Sequence, residues 1–278
     1  MSRVWLITGA NSGFGRALTA AAVAAGDVVI AAARRPETLA DVVAAHPDQV
    51  EAVALDVTDL AGVNATVASV IARHGRLDVL VNNAGRSHVG AFEETTDEEL
   101  RSLFDVHVFG PAALVRAALP HMRARRSGAI VQLSSLGGQL SFAGFSAYSG
   151  TKFALEGLSE GLADEVGRLG IKVLIVEPGA FRTGLWGSTS RSVDEIEDYT
   201  ESVGPTRRMV VDADGTQAGD PAKAAAAILT ALDAPEPPLR LALGADAVEA
   251  IGTHLDQVRG DLTTWEGVAR ATAFDHAG

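Results

Sequence analysis

The sequence predicts a single α/β domain built as a doubly wound parallel sheet with helices on both faces. Short β-rich runs alternate with helix-length Ala/Leu segments. The runs are apolar without interruption, as strands covered on both faces must be. A glycine-rich turn stands directly between the first run and the first helical segment. With 278 residues, 47% of them hydrophobic, one core spanning residues 1–278 is expected.

The strand pattern appears at Val4–Thr8, Val28–Ala33, Val50–Leu55, Val79–Val81, Ala129–Leu133 and Val173–Val176. Helical patterns begin near Gly13, Pro36, Leu60, Asp97, Tyr148 and Pro221. From Arg182 to Gly219 the alternation stops in a polar stretch rich in Gly, Ser and Asp, with one short helical pattern near Ser192–Ser202. So long an interruption reads as a lid over a substrate site, about 182–219. Asp220-Pro221 then opens an alanine-rich helix as N-cap and first-turn proline. The proline-rich turn Ala234–Pro238 leads to a last strand at Leu239–Leu243. No internal repeat and no second domain is legible.

Charge and composition narrow the function. A net charge of -12 argues against nucleic acid, whose phosphates the average surface repels, and points to a small organic substrate. No cysteine is present, so disulfides and thiolate metal sites are excluded. The seven histidines are too scattered for a local metal-binding pair, and no metal is expected. The opening run Val4-Trp5-Leu6-Ile7 is too short for a signal peptide core, so a cytoplasmic location is expected. No stretch is expected to reach the roughly 18 to 20 apolar residues of a membrane span.

Thr8-Gly9-Ala10-Asn11-Ser12-Gly13-Phe14-Gly15 joins the first strand to the helical run Arg16–Ala25. Glycines there let the backbone turn sharply and bring amides and the positive helix end against a pyrophosphate, the Rossmann-type arrangement. The alternative is a tight strand-to-helix turn with no ligand. The second strand ends in Ala33-Arg34-Arg35, where an NAD enzyme usually carries an acid for the ribose hydroxyls. A guanidinium grips a 2′-phosphate, so NADP(H) is favoured over NAD(H); the alternative is a solvated arginine pair.

With these motifs placed, the chain resembles the classical short-chain dehydrogenase/reductase family from about Val4 to Leu243, in its TGxxxGxG turn and in a series of motifs further along the chain. Asp56-Val57 stands after the third strand, Asn82-Asn83-Ala84-Gly85 after the fourth, then Ser135, Tyr148-x-x-x-Lys152, and Pro178-Gly179 with Thr183. The resemblance implies that Asp56 and Val57 border an adenine, Asn83, Ala84 and Gly85 a ribose, and Phe181 and Thr183 a nicotinamide. It also implies a homodimer or homotetramer paired through the helices beginning near Asp97 and Tyr148. Asp56 has a plainer alternative as a helix cap, and Asn83 as a structural turn.

Tyr148 and Lys152, four residues apart, share one helix face and can act on one ligand. Free tyrosine titrates near 10, and a nearby ammonium is expected to lower that value towards useful acid/base range. Ser135, thirteen residues before Tyr148 at the end of the fifth strand, can donate to a substrate oxygen. Its neighbour Ser134 should point to the other side. The family usually has asparagine where this chain has His107, so a water relay towards Lys152 held by the imidazole is one reading and plain packing the other. Arg123, Arg125 and Arg126 read as a solvated helix terminus. Phe142, Phe145, Leu185 and Trp186 suit an apolar or bulky carbonyl or alcohol substrate. The expected activity is hydride transfer between NADP(H) and a carbonyl or secondary alcohol. Alternatives are a dinucleotide-binding sensor or scaffold without turnover, and a lyase or dehalogenase on the same fold.

Overall fold

The computed structural model describes residues 2–274. In chain order the elements are β1 (Val4–Thr8), α1 (Gly13–Ala24), β2 (Val28–Ala33), α2 (Ala40–Ala45), β3 (Val50–Ala54), α3 (Leu60–His74), β4 (Val79–Asn82), α4 (Asp97–Phe104) and α5 (Gly110–Arg125). Beyond these come β5 (Gly128–Leu133), α6 (Ser146–Val166), β6 (Ile171–Pro178), α7 (Thr200–Asp212), α8 (Pro221–Asp233), β7 (Arg240–Leu243) and α9 (Ala245–Arg270). The strands form one parallel sheet in the order β3-β2-β1-β4-β5-β6-β7.

Successive side chains of β1 point to opposite faces, and each face finds a core. Trp5 and Ile7 pack with Leu18 and Ala22 of α1 and Ala225 and Ile228 of α8. Val4 and Leu6 pack with Val63 and Val67 of α3 and Leu114 and Ala118 of α5. This double burial is why the strands read as unbroken apolar runs. The strand order reverses between β1 and β4, and doubly wound sheets open a crevice beyond the strand ends at such a point.

Four sequence readings need correction. α4 and α5 are joined by a π-helical turn, Asp105–Phe109, into one run from Asp97 to Arg125 that is long and apolar enough to cross a membrane. Half of its most apolar window is buried inside the fold, which accounts for the composition. The helix expected near Ser192–Ser202 begins within that span, at a 3-10 turn over Glu197–Tyr199, but continues as α7 to Asp212. Pro205 lies inside this helix, and Val203, Arg207 and Val210 form its buried stripe at helical spacing. Arg125 is not merely a solvated terminus, because it reaches Asp78 at 3.0 Å. Finally, a 26-residue helix, α9, extends beyond the last strand, where the sequence pattern predicts no element.

The interrupted region is anchored rather than loose. His88–Val89 pairs in parallel with Ser190–Arg191, and Phe181 bridges Gly219. Buried Glu94 accepts from the Ala91 amide at 2.7 Å and the Ile196 amide at 2.8 Å, and it pairs with Arg207.

Candidate active site

A cavity of about 930 Å³ opens along the carboxyl ends of the strands. At its β1 side, Gly9 turns the chain at φ +62° and Gly13 continues the turn at φ +50°. A Cβ on Gly13 would meet the Cβ of Thr183 at 2.9 Å, so glycine lets the start of the lid lie against the turn. Ser12 precedes α1 without capping it through its side chain, and Asn11, Ser12, Gly13 and Phe14 all line the cavity. Uncapped amides at a helix start form an anion cradle, and this one fits a pyrophosphate. Gly15 lies behind the cavity wall. A Cβ there would come within 2.2 Å of the Gly9 carbonyl, so its role is to let α1 close onto the turn.

Further along, the wall carries Arg34, Asp56, Val57, Asn83, Ala84, Gly85, Pro178, Gly179, Phe181 and Thr183. Arg34 is exposed at the end of β2. Asp56 does not cap α3, a task taken by Asp59, and instead accepts from the Thr58 amide and hydroxyl. Those bonds, helped by the Arg34 charge, hold its carboxyl below the usual range. The Asn83 amide is occupied with the Thr8 carbonyl at 2.8 Å, tying β4 to β1, while its flank borders the cavity. The rings of Phe14 and Phe181 meet at 5.1 Å.

α6 begins at Ser146, which sets Tyr148 and Lys152 one turn apart facing the end of β5. The Ser135 hydroxyl accepts the Gly137 amide at 3.0 Å and shares the cavity wall with Tyr148. Ser134 turns the other way and donates to Glu156 at 2.6 Å. Lys152 Nζ donates to the Leu133 carbonyl at 2.8 Å and stands 5.7 Å from the Tyr148 ring centre. Burial pushes the Tyr148 phenol up to about 12, only partly offset by Ser135, and pushes Lys152 down to about 8. The expected lowering of the phenol by Lys152 is thus not what the protein alone produces. Both groups are desolvated together, and burial is the largest influence on each.

His107 lies in the π-helical turn with both ring nitrogens engaged. Thr151 donates its single hydroxyl proton to the Tyr148 carbonyl at 2.7 Å, so His107 Nδ1, 2.8 Å from the Thr151 hydroxyl oxygen, must donate to it. Nε2 accepts the Arg86 amide at 3.1 Å. Burial holds the imidazole well below its ordinary pKa, with Lys152 and Arg86 adding to the effect. No ring nitrogen is left to hold a relay water. His107 instead clamps the loop after β4 to α6 beside Tyr148, whose ring it meets edge-on at 5.6 Å.

Leu136, Phe142, Phe145, Leu185, Trp186 and Met209 make the substrate-side wall largely apolar. Sequence reasoning missed Leu136, Met209, Arg86, Ser102, Asp246 and Ala250, all on the cavity wall. Only Arg86, next to Asn83-Ala84-Gly85, had a nearby motif to point to it. The Leu133 carbonyl that orients Lys152 has no sequence signal.

A glycine-turned crevice on which a serine, a tyrosine and a lysine converge defines a dinucleotide-dependent oxidoreductase. The chain belongs to the short chain dehydrogenase family, whose model matches residues 3–194. It is 38% identical to "Oxidoreductase BOA17" of Botryotinia fuckeliana over 98% of this chain and 100% of that one. A crystal structure of a short-chain dehydrogenase from Streptomyces avermitilis superposes with a TM-score of 0.93 at 64% identity, covering 98% of each chain. ElxO with NADP bound superposes at 0.74 with 25% identity, covering 90% of this chain and all of that one. A short chain dehydrogenase/reductase from Burkholderia phymatum in complex with NAD superposes at 0.82 with 24% identity, covering 94% of this chain and 95% of that one.

Proposed function

We propose that this oxidoreductase moves hydride between NADP(H) and a carbonyl or secondary alcohol, with Tyr148 as the acid/base. The observation that carries the reading is the convergence of Ser135, Tyr148 and Lys152 on one cavity wall, with the Lys152 ammonium 5.7 Å from the Tyr148 ring centre. The glycine turn would hold the pyrophosphate, Arg34 a 2′-phosphate, and Asn83 to Gly85 with Lys152 the ribose nearer the site. When bound, the nicotinamide supplies or receives the hydride. In reduction, Ser135 orients the substrate oxygen and Tyr148 delivers its proton there. Lys152 favours the phenolate left behind, which lowers the cost of giving the proton to the substrate oxygen. The apolar wall selects a bulky or apolar substrate. For assembly, exposed Phe153 and Leu158 on α6 supply a surface through which copies pair.

A panel of ketones, aldehydes and secondary alcohols followed by NADPH absorbance tests the activity, and fluorescence titration of both dinucleotides tests the cofactor. NADPH should bind more tightly than NADH, and Arg34→Ala should shrink the difference. Equal affinities in the unmutated protein would remove the NADP(H) assignment. Tight binding with no turnover on any substrate would identify a sensor instead.

A further inference from the structure

α9 leaves the domain after two turns. Ala247 and Ile251 are buried at its base, whereas every residue from Leu255 to Arg270 is exposed. Apolar residues nevertheless continue at strict three-four spacing: Val248, Ile251, Leu255, Val258, Leu262 and Trp265. All but Ile251 are exposed, Leu262 at 69% and Trp265 at 63%. A seam repeating every 3.5 residues is the pattern that another helix covers by interlocking side chains.

The free segment also has little reason to be helical alone. It carries Gly260 and Gly267 as well as Thr263 and Thr264, and each interior glycine costs about 1 kcal/mol relative to alanine. Isolated helices of about 12 to 15 residues are marginal in water, so packing must supply the stability. Added side chains at those two glycines would meet nothing within 4 Å, so the domain does not supply it.

Charge selects the occupant and its direction. In heptad terms Val248, Leu255 and Leu262 take the a positions, and Ile251, Val258 and Trp265 the d positions. His254 and Asp261 then flank one side at g, and Arg259 and Glu266 the other at e. Two copies laid antiparallel, with Leu255 layered on Val258 of the other, bring each His254 opposite an Asp261. Antiparallel pairing shifted one heptad outward faces Asp261 with Asp261 and Arg259 with Arg259. Shifted inward, it leaves Leu262 and Trp265 uncovered. Parallel pairing sets Asp261 beside Glu266 and His254 beside Arg259. We propose that α9 pairs antiparallel with α9 of a second copy of this chain in the first of these registers. The interface is separate from the α6 surface and does not depend on the proposed activity.

The absence of cysteine makes engineered thiols clean reporters. His254 and Asp261 lie two turns apart on one helix, about 10 Å, too far to bridge within a copy. Under mild oxidation, H254C/D261C should give a covalent dimer and D261C/E266C should not. In analytical ultracentrifugation across a concentration series, Leu262→Asp with Trp265→Glu should halve the mass of the full chain. Dinucleotide binding should stay as in the parent, since both positions lie clear of the domain, while the helical circular dichroism signal should fall as the unpaired end of α9 frays. Thr264→Glu, on the outer side of α9, should leave the mass unchanged. A parent protein monomeric throughout, an unchanged mass in the Leu262/Trp265 variant, or cross-linking through D261C/E266C in place of H254C/D261C would each overturn the proposal.

Discussion

Tyr148 sits where burial alone would disable it: its phenol is pushed up to about 12, with only Ser135 pulling down. The residue is useful as an acid only if a bound ligand and the Lys152 ammonium together reverse that penalty. Tyr148→Phe keeps the ring's packing and removes the proton, so dinucleotide affinity should stay within a few fold. Turnover should fall by about two orders of magnitude or more. Comparable turnover in the variant would reduce Tyr148 to a structural residue. At His107 the expectation differs, because its nitrogens are committed to Thr151 and the Arg86 amide. His107→Leu leaves that amide unpaired in the interior, a loss of about 1–3 kcal/mol read as a lower thermal midpoint. The pH profile of turnover between 6 and 9 should keep its shape in any variant that folds, since the buried imidazole is neutral throughout. A changed profile in a folded His107 variant would restore the relay. The sequence marked His107 as a departure from the family pattern, but not which groups its nitrogens meet, because Arg86 and Thr151 approach it from distant parts of the chain.

Among the elements, the lid shows most plainly where sequence patterns run out. Its buried stripe of Val203, Arg207 and Val210 includes an arginine, which hydropathy reads as solvent-facing until Glu94 is known to be buried beside it. A buried pair that loses one partner leaves an uncompensated charge, typically costing about 3–5 kcal/mol. Glu94→Ala should therefore lower stability by about that amount, release the Ile196 amide, and expose residues 190–212 to limited proteolysis. Because Leu185, Trp186 and Met209 belong to the same region, KM for bulky substrates should rise more than kcat falls. Protease resistance matching the parent would mean that the strand pairing at Ser190–Arg191 alone holds the lid.

Across the protein, opposing titrations shape stability. Burial lowers His88 and, more strongly, His107, so below about pH 6.5 the unfolded chain takes up protons that the folded chain refuses. Stability should fall as pH drops through that point. Glu177 acts in the opposite sense. Burial and the neighbouring Glu156 raise it to about 7, so its contribution is complete below about 4.5 and is lost as pH rises through 7. Glu177→Gln should thus raise the thermal midpoint relative to the parent at pH 8 and change it little at pH 5, by differential scanning calorimetry. An equal gain at both pH values would show that Glu177 does not titrate in this range.

Local physics made much of the protein legible. Unbroken apolar runs gave the two-faced sheet, and the glycine turn and the Tyr148–Lys152 spacing placed the crevice, because each depends on residues close together in the chain. Long-range contacts supplied the rest. Spacing told Ser135 from Ser134, but only the fold supplies Ser134's partner Glu156, the Gly9 carbonyl that requires Gly15, and the Glu94 that buries Arg207. α9 escaped notice because its stripe buries only Ala247 and Ile251 in the domain, so its apolar residues matched no core inferred from the strands. Patterns within one element are written along the chain. Burial, pKa and hydrogen-bond partners depend on which distant segments the fold brings against them.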